Sequence, residues 1–297
     1  MIVPLSVVST QRMHVVQELL ENGRNAWYAN YSWRPAKLFD TVNRALTIFV
    51  ITPYGESQTF STDYQKWTSD SRDLLMRDIS YINILHPRPA FWIPKLGNDL
   101  ELKILRRCLA VKTPLSQFMA MGKRSQHRIY YRTDGGLYWK VFTDFAPAFK
   151  VNGKEGHSTR ETWFTLLDAK SIRAVIATLS SDIFWWWYTV TSNCRHLNPY
   201  DVQHFPIPET AILDPHLTAL GKKYLEDLKR NSTMLVRNQR QTGRTETQCF
   251  KIQKSKPIID EIDSVLAQYY SFTDDELDFI INYDIKYRMG QDDGDDA

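Results

Sequence analysis

A chain of 297 residues, 43% hydrophobic and 24% charged, is ordinary for a globular protein of about two domains. No apolar run nears the length of a transmembrane helix, no signal peptide is expected, and Cys108, Cys194 and Cys249 are too few and too scattered for a disulfide framework, so helical membrane proteins and stapled secreted domains are excluded and a cytoplasmic protein is expected. The net charge of +3 hides a polarity: the first 150 residues hold 20 Lys and Arg against 12 Asp and Glu, the rest 17 against 22, which suits a polyanionic partner on one half.

Residues 2–8 form a compact apolar run, the pattern of a buried parallel strand. Ser9 or Thr10 caps a helix to Leu20 that stops at Gly23. Residues 25–33 and 46–51 read as strands, joined by an Arg34-Pro35 corner and a helical turn over 37–42. Strand, helix, strand, strand is not a complete domain, because sheet edges and apolar faces stay uncovered. A helix is predicted over 70–85, then a Pro-punctuated linker over 86–94. Asn98 caps a helix over 99–111, and Pro114 opens a shorter one to Met121. A hairpin follows, with strands 128–132 and 137–142 about an Asp134-Gly135-Gly136 turn. Residues 159–167 are a further strand candidate. A helix over 169–191 ends in Trp185-Trp186-Trp187-Tyr188. After residue 208 the pattern turns fully helical: 215–231 behind Asp214, 257–270, and a last helix from a Thr273/Glu276 capping box to Gly290. The polar stretch 238–248 reads as a mobile loop and 291–297 as a disordered acidic tail.

The motif Trp33-Arg34-Pro35-Ala36-Lys37-Leu38-Phe39-Asp40-Thr41-Val42-Asn43-Arg44, running into strand 45–51, resembles the late catalytic domain of adenine-N6 DNA methyltransferases. The resemblance is strongest to the single-chain type IIG restriction–modification class. Three later segments resemble that family's target-recognition region: Arg128-Ile129-Tyr130-Tyr131-Arg132 with Lys140-Val141-Phe142, Asn193-Cys194-Arg195-His196-Leu197-Asn198-Pro199-Tyr200-Asp201, and Lys254-Ser255-Lys256-Pro257-Ile258-Ile259-Asp260. In the family the first motif lies well downstream of the cofactor and catalytic motifs, yet only 32 residues precede it here.

The resemblance implies a chain of mixed α/β and α+β class. Residues 1–66 would be the last strands of an incomplete Rossmann-like methyltransferase sheet, 67–210 an α+β target-recognition domain, and 211–297 a helical region. It implies double-stranded DNA as partner and a second polypeptide carrying the catalytic half. S-adenosylmethionine would serve the complete enzyme without being bound by this chain, which alone is expected to be inactive. The family's Gly-rich turn after the first strand and its Asn-Pro-Pro-Tyr loop, which hold the methyl donor and the extruded adenine, are absent from the sequence. Thr52-Pro53-Tyr54-Gly55 lacks the Asn, and Asn198-Pro199-Tyr200-Asp201 lies deep in the recognition half; neither is expected to be catalytic. The alternative is a stand-alone DNA-binding specificity subunit with no catalytic partner.

Alternate residues of a strand share a face, so Arg128, Tyr130 and Arg132 are expected to point together, with Arg124 and Lys140 nearby. A β-ribbon fits the major groove, where Arg on guanine O6 and N7 is the commonest specific contact. Lys123, Lys150 and Lys154 are assigned to phosphates, as are Arg34 and Lys37 in the first motif. The competing reading is a solvated hairpin whose aromatics simply favour strands. The tryptophan run is assigned to the core, since three consecutive helical positions spread around the circumference. Cys194 and His196 lack a second ligand pair, so no metal is expected. Asp99, Glu101 and Lys103 mimic part of a nuclease signature but read as the start of a helix.

Overall fold

The computed structural model describes residues 1–77, 79–84, 91–122, 124–134, 138–240 and 243–289. The fold is mixed α/β, with three sheets and eleven α-helices among the described residues. Two compact units divide it: Met1–Leu109 with Trp187–His196, and Ala110–Trp186 with Leu197–Ala297. These divisions differ from the breaks at 66 and 210 expected from the sequence. The linker core at 86–89, Lys123, the Gly135-Gly136 turn and the acidic tail lie outside the described residues.

The first unit contains β1 (Ile2–Pro4), α1 (Ser6–Ser9), α2 (His14–Glu21), β2 (Ala26–Tyr31), β3 (Leu46–Ile51), β4 (Thr59–Gln65), β5 (Ile82–Asn83) and α3 (Asp99–Ala110). Its sheet runs β1-β3-β2-β4-β5, and only β2 and β4 are parallel. Five strands therefore stand where the sequence suggested three. The missed strand β4 is rich in Ser, Thr and Asp, which weakens any alternating signal. β1 is a three-residue antiparallel edge with Ile2 half exposed, not a buried parallel strand over 2–8. Pro4 lacks the N–H needed to continue a ladder, and Val7 and Val8 bury themselves in α1 instead. Residues 37–42 make turns, not a helix. The helix predicted over 70–85 is a 3-10 turn, Ser69–Leu74, followed by β5; Ser69, Asp70, Ser71 and Asp73 favour caps and turns over a helix interior.

Asn30 sits wholly buried in the middle of β2, and its polar atoms are accounted for. Its amide donates to Ser61 Oγ and to the Thr62 carbonyl, both at 3.1 Å, while its Oδ1 accepts from Thr47 Oγ1 at 3.0 Å. The β2–β4 register shifts at this position. Asn98 caps α3 as expected, accepting from the Glu101 N–H at 2.9 Å, and Glu101 returns a carboxylate oxygen to the Gly97 N–H at 2.7 Å. These two bonds tie the helix start together and account for the buried Glu101 without nuclease chemistry.

The second unit contains β6 (Arg128–Arg132), β7 (Phe142–Thr143), β8 (Phe149–Val151), β9 (Lys154–Glu155), β10 (Glu161–Thr165), α4 (Ile172–Leu179), most of α5 (Asp182–Thr191), α6 (Pro199–Gln203), α7 (Glu209–Ile212), α8 (Pro215–Arg230), β11 (Ser232–Gln239), β12 (Gly243–Phe250), α9 (Lys256–Tyr270), α10 (Asp274–Asn282) and α11 (Ile285–Arg288). Two sheets result, β10-β6-β7 and β11-β12-β8-β9. The expected hairpin survives only as two pairs, Tyr130 with Thr143 and Tyr131 with Phe142. β6 is instead the centre of a three-stranded sheet, fully paired along its other edge with β10. Residues 138 and 139 leave the sheet because their rings have other partners: Tyr138 stacks on Tyr287, and the Trp139 indole donates to the Arg288 carbonyl at 3.1 Å.

The supposed mobile loop at 238–248 belongs to the longest hairpin among the described residues, with β11 and β12 paired from Ser232/Phe250 to Gln239/Gly243. Its polar Thr, Gln and Arg content hides a half-exposed, two-sided ribbon. Gly243 closes it at φ 75°, where a side chain would be strained. The helix predicted over 169–191 breaks at Ser180-Ser181, because Ser181 Oγ accepts from the Phe184 N–H and restarts the helix as α5. The final helix likewise ends early, at Asn282, and Asp284 turns left-handed before α11.

Trp185, Trp186, Trp187 and Tyr188 in α5 are all buried, as the core assignment required. The chain passes from the second unit to the first within this helix. At its start the Asp263 carboxylate accepts from the N–H groups of Asp182 and Ile183, at 3.0 and 3.1 Å. At its end the buried Lys95 ammonium donates to the carbonyls of Val190 and Ser192, at 2.9 and 2.7 Å. Asp263 thus satisfies N–H groups at the start of the helix and the Lys95 cation satisfies carbonyls at its end, where it complements the helix dipole.

Candidate nucleic-acid interface

Strand alternation builds the candidate site in the second unit. Ile129 and Tyr131 turn inward from β6 and are buried, and burial pushes the Tyr131 hydroxyl pKa up to about 12, with Asp201 adding to the rise. Arg128, Tyr130 and Arg132 therefore share the opposite face. Directly across on β10, and pointing the same way, stand Thr165, Trp163 and Glu161. The Arg128 guanidinium lies 5.0 Å over the Trp163 ring, and Tyr130 packs beside that ring at 6.1 Å. Trp163 is 51% exposed, unusual for so large an apolar side chain.

Further along the same face the surface sinks into a cleft of about 150 Å3. Arg132 and Glu161 lie on one wall, Phe149, Cys249 and Phe250 on another, with Asp134 and Lys140 also lining it. Burial raises the Glu161 carboxyl pKa, against the lowering pull of His157 and Arg132. Burial likewise raises the Cys249 thiol, opposed by the charges of Arg132 and Arg237. Arg132 Nε and Asp134 Oδ1 are buried without a hydrogen-bond partner, although Asp134 Oδ2 approaches Arg160 Nε at 3.4 Å. Unpaired buried polar atoms cost free energy.

The structure thus brings together Arg128, Tyr130, Arg132 and Lys140. It does not place them alike: Arg128 is exposed on an aromatic platform, Arg132 recessed in the cleft. Arg124 is exposed just before β6. Lys150 on β8 is held by Glu155 at 3.0 Å, a bond that raises its pKa, and Lys154 on β9 is exposed. Arg34 and Lys37 belong to the first unit; Arg34 stacks 4.5 Å over Trp33, and the Lys37 carbonyl accepts from Arg72 at 2.8 Å. Trp163, Glu161 and Arg237 were missed. In Glu161-Thr162-Trp163-Phe164-Thr165 two aromatics are adjacent, and nothing in the sequence says which one turns outward. Arg237 was missed because the long hairpin was not foreseen.

β1 runs into α1 through the buried Leu5, with no glycine at the turn. Asn198-Pro199-Tyr200-Asp201 is the N-terminus of α6, where the Asn198 N–H donates to Asp201 at 2.7 Å in a capping box. Its residues are occupied by helix initiation. The carboxylates of Asp182, Asp260 and Asp263 lie close enough to share a cation, but Lys256 and Arg288 already supply positive charge there. No helix of the described residues is long and apolar enough to cross a membrane. No protein-family model matches the chain, and no curated protein matches it.

Proposed function

We propose that this chain recognises double-stranded DNA sequence-specifically, as the recognition portion of an adenine-N6 DNA methyltransferase of the type IIG restriction–modification class. The methyl donor and the catalytic residues would then be supplied by other polypeptide. One observation carries the reading: the Arg128 guanidinium lies 5.0 Å over the half-exposed Trp163 ring, with Tyr130 alongside. A guanidinium already ordered on an aromatic face loses less freedom when it forks onto a guanine edge or a phosphate. Arg124 and Lys154, both exposed, would add sequence-independent phosphate contacts.

The test is fluorescence anisotropy of the purified chain with a pool of labelled duplexes across a salt series. Binding that falls steeply with log salt, with one sequence class retained at high salt, supports the reading. Salt-insensitive binding, or none at low salt, ends it. Transfer of labelled methyl groups to DNA, on mixing with a catalytic polypeptide and S-adenosylmethionine, separates the methyltransferase role from that of a stand-alone specificity subunit.

A further inference from the structure

The long hairpin leaves one edge of its sheet open. In the order β11-β12-β8-β9, β11 stands last, eight residues long, and pairs with β12 from Ser232 to Gln239 without a bulge. Its neighbours fix which way its backbone points. The Asn152 N–H donates to the Arg244 carbonyl and the Gln248 N–H to the Ala148 carbonyl, both at 2.8 Å. Arg244, Glu246 and Gln248 therefore turn their backbone groups toward β8. Thr245, Thr247 and Cys249 turn theirs toward β11, where they meet Arg237, Leu235 and Thr233. Met234, Val236 and Asn238 are left with N–H and C=O groups directed off the sheet. The side chains of Met234 and Val236 are also 43% and 46% exposed, on one face. Edge strands are commonly blunted by lysine, proline or a bulge, and β11 has none of these.

We infer that β11 pairs with β11 of a second copy, antiparallel across a twofold axis at Leu235, to make one continuous sheet. The sequence of the strand selects that register. Met234 then lies opposite Val236 of the second copy, and Ser232 opposite Asn238, each pair occurring twice. About eight backbone hydrogen bonds result, within the range of ordinary interfaces. On the other face Leu235 meets Leu235, and Arg237, the single charged side chain of the strand, meets Thr233. An axis at Arg237 would instead set that guanidinium against its own copy, a destabilising pair. An axis at Thr233 would carry Val236 and Asn238 past the end of the facing strand. Any extended peptide can add to open backbone groups. The strand's own sequence also matches apolar to apolar and arginine to threonine, and that complementarity favours a second copy as the occupant. The inference does not depend on the nucleic-acid reading above.

Sedimentation velocity of the whole chain over a hundredfold concentration range is expected to show a monomer–dimer equilibrium. Val236→Pro removes an N–H directed off the sheet and none that holds β12, so the hairpin is kept while the dissociation constant should rise at least tenfold. Met234→Lys should weaken the dimer similarly, by setting a charge opposite Val236. Adding Val236→Glu sets each introduced lysine opposite an introduced glutamate and should restore association to within a few-fold. Circular dichroism melts check that each variant is folded. Leu235→Cys, made together with Cys249→Ser, should form a covalent dimer under oxidised glutathione, because residues facing each other on the axis have Cα atoms about 4.5 Å apart. Val236→Cys in the same background should not, being displaced from its own copy. A chain that stays monomeric throughout overturns the inference, even if it accepts an extended peptide along β11. A dimer that Val236→Pro leaves unchanged and Leu235→Cys fails to cross-link overturns it too, for the copies would then meet on another surface. So does a folded Met234→Lys/Val236→Glu variant that recovers no association.

Discussion

The Asp182 carboxylate meets the Arg288 guanidinium at 2.5 Å, with 0% and 1% of the two side chains exposed. The contact is ionic and not an aligned hydrogen bond, as neither atom finds hydrogen-bond geometry. Lys256 reaches the other Asp182 oxygen at 3.1 Å, and Arg288 also lies 3.9 Å over the Trp139 ring. Arg288→Met would leave a wholly buried carboxylate short of one counter-ion. The expected cost is about 3–5 kcal/mol in a urea melt. Adding Asp182→Asn removes the uncompensated charge and should recover part of the loss. A double variant no more stable than the single one would show that lost packing, not charge, dominates.

Asp263 makes the same cluster sensitive to pH. Its pKa is raised well above the ordinary 3.8, first by burial and then by the negative charge of Asp182, against the lowering effect of its two backbone donors and Lys256. A raised folded value means that the native state holds the proton more tightly than the unfolded chain does. The stability from this group is therefore fully present below the unfolded pKa and is lost as pH rises through the folded one. Asp263→Asn removes that dependence, so its stability curve should be flatter above about pH 4. The amide can accept at one of the two N–H groups only, which should cost about 1–3 kcal/mol even in acid. Parallel wild-type and variant curves would show that Asp263 is not the titrating group.

On the exposed platform, Trp163→Ala and Arg128→Ala should each weaken DNA binding by about 1–3 kcal/mol. Their signatures differ. Arg128→Ala should relax the choice among sequences and reduce the salt slope by about one, whereas Trp163→Ala should leave the slope nearly unchanged. Lys150→Ala, which removes a charge already held by Glu155, should do little. Anisotropy titrations at several salt concentrations measure all three. An unchanged preference in both platform variants would remove the platform from base reading.

Much of this was legible in the sequence where local signals are strong. Asn98, Asp214 and the Thr273/Glu276 box start helices α3, α8 and α10 as their side chains dictate. The outward set Arg128, Tyr130 and Arg132 followed from strand alternation alone. What escaped depends on distant partners. β6 was placed in a simple hairpin because β10, its main partner, begins only at Glu161, 29 positions after β6 ends at Arg132. β11 and β12 escaped because Thr, Gln and Arg satisfy a two-sided ribbon as well as a loop. The cleft was invisible for the same reason: Arg132, Glu161 and Cys249 reach one space only through two sheets whose pairing no short pattern announces.

Close packing of α4 on α8 gives a sharper test of the second unit. A Cβ at Gly221 would lie 2.1 Å from the Arg173 carbonyl oxygen, a backbone atom that cannot swing aside. Gly221→Ala gains helix propensity, yet the clash forces the two helices apart. The net effect should be a loss of about 1–3 kcal/mol, the usual cost of overpacking. Thermal denaturation decides the sign, and a stabilised variant would mean that the helices separate easily.

Lys95 offers the complementary test in the first unit. Its side chain is wholly buried and donates to the Val190 and Ser192 carbonyls at the end of the tryptophan helix. Those carbonyls have no intrahelical donors; the Val190 oxygen also accepts from the Lys95 backbone N–H at 3.1 Å, so it is chiefly the Ser192 oxygen that the ammonium keeps from being stranded. Two forces oppose each other in Lys95→Met. Removing the charge spares its desolvation, which favours the variant, while the stranded Ser192 carbonyl and the lost dipole interaction disfavour it. Each charged hydrogen bond is worth about 1.5–3 kcal/mol and two are lost, so the carbonyl side should win by roughly 2–4 kcal/mol. Hydrogen exchange gives the local readout: amides over 187–192 should lose protection before those of β2 and β3. Equal stability with unchanged exchange would mean that the buried ammonium contributes nothing net to holding the helix end.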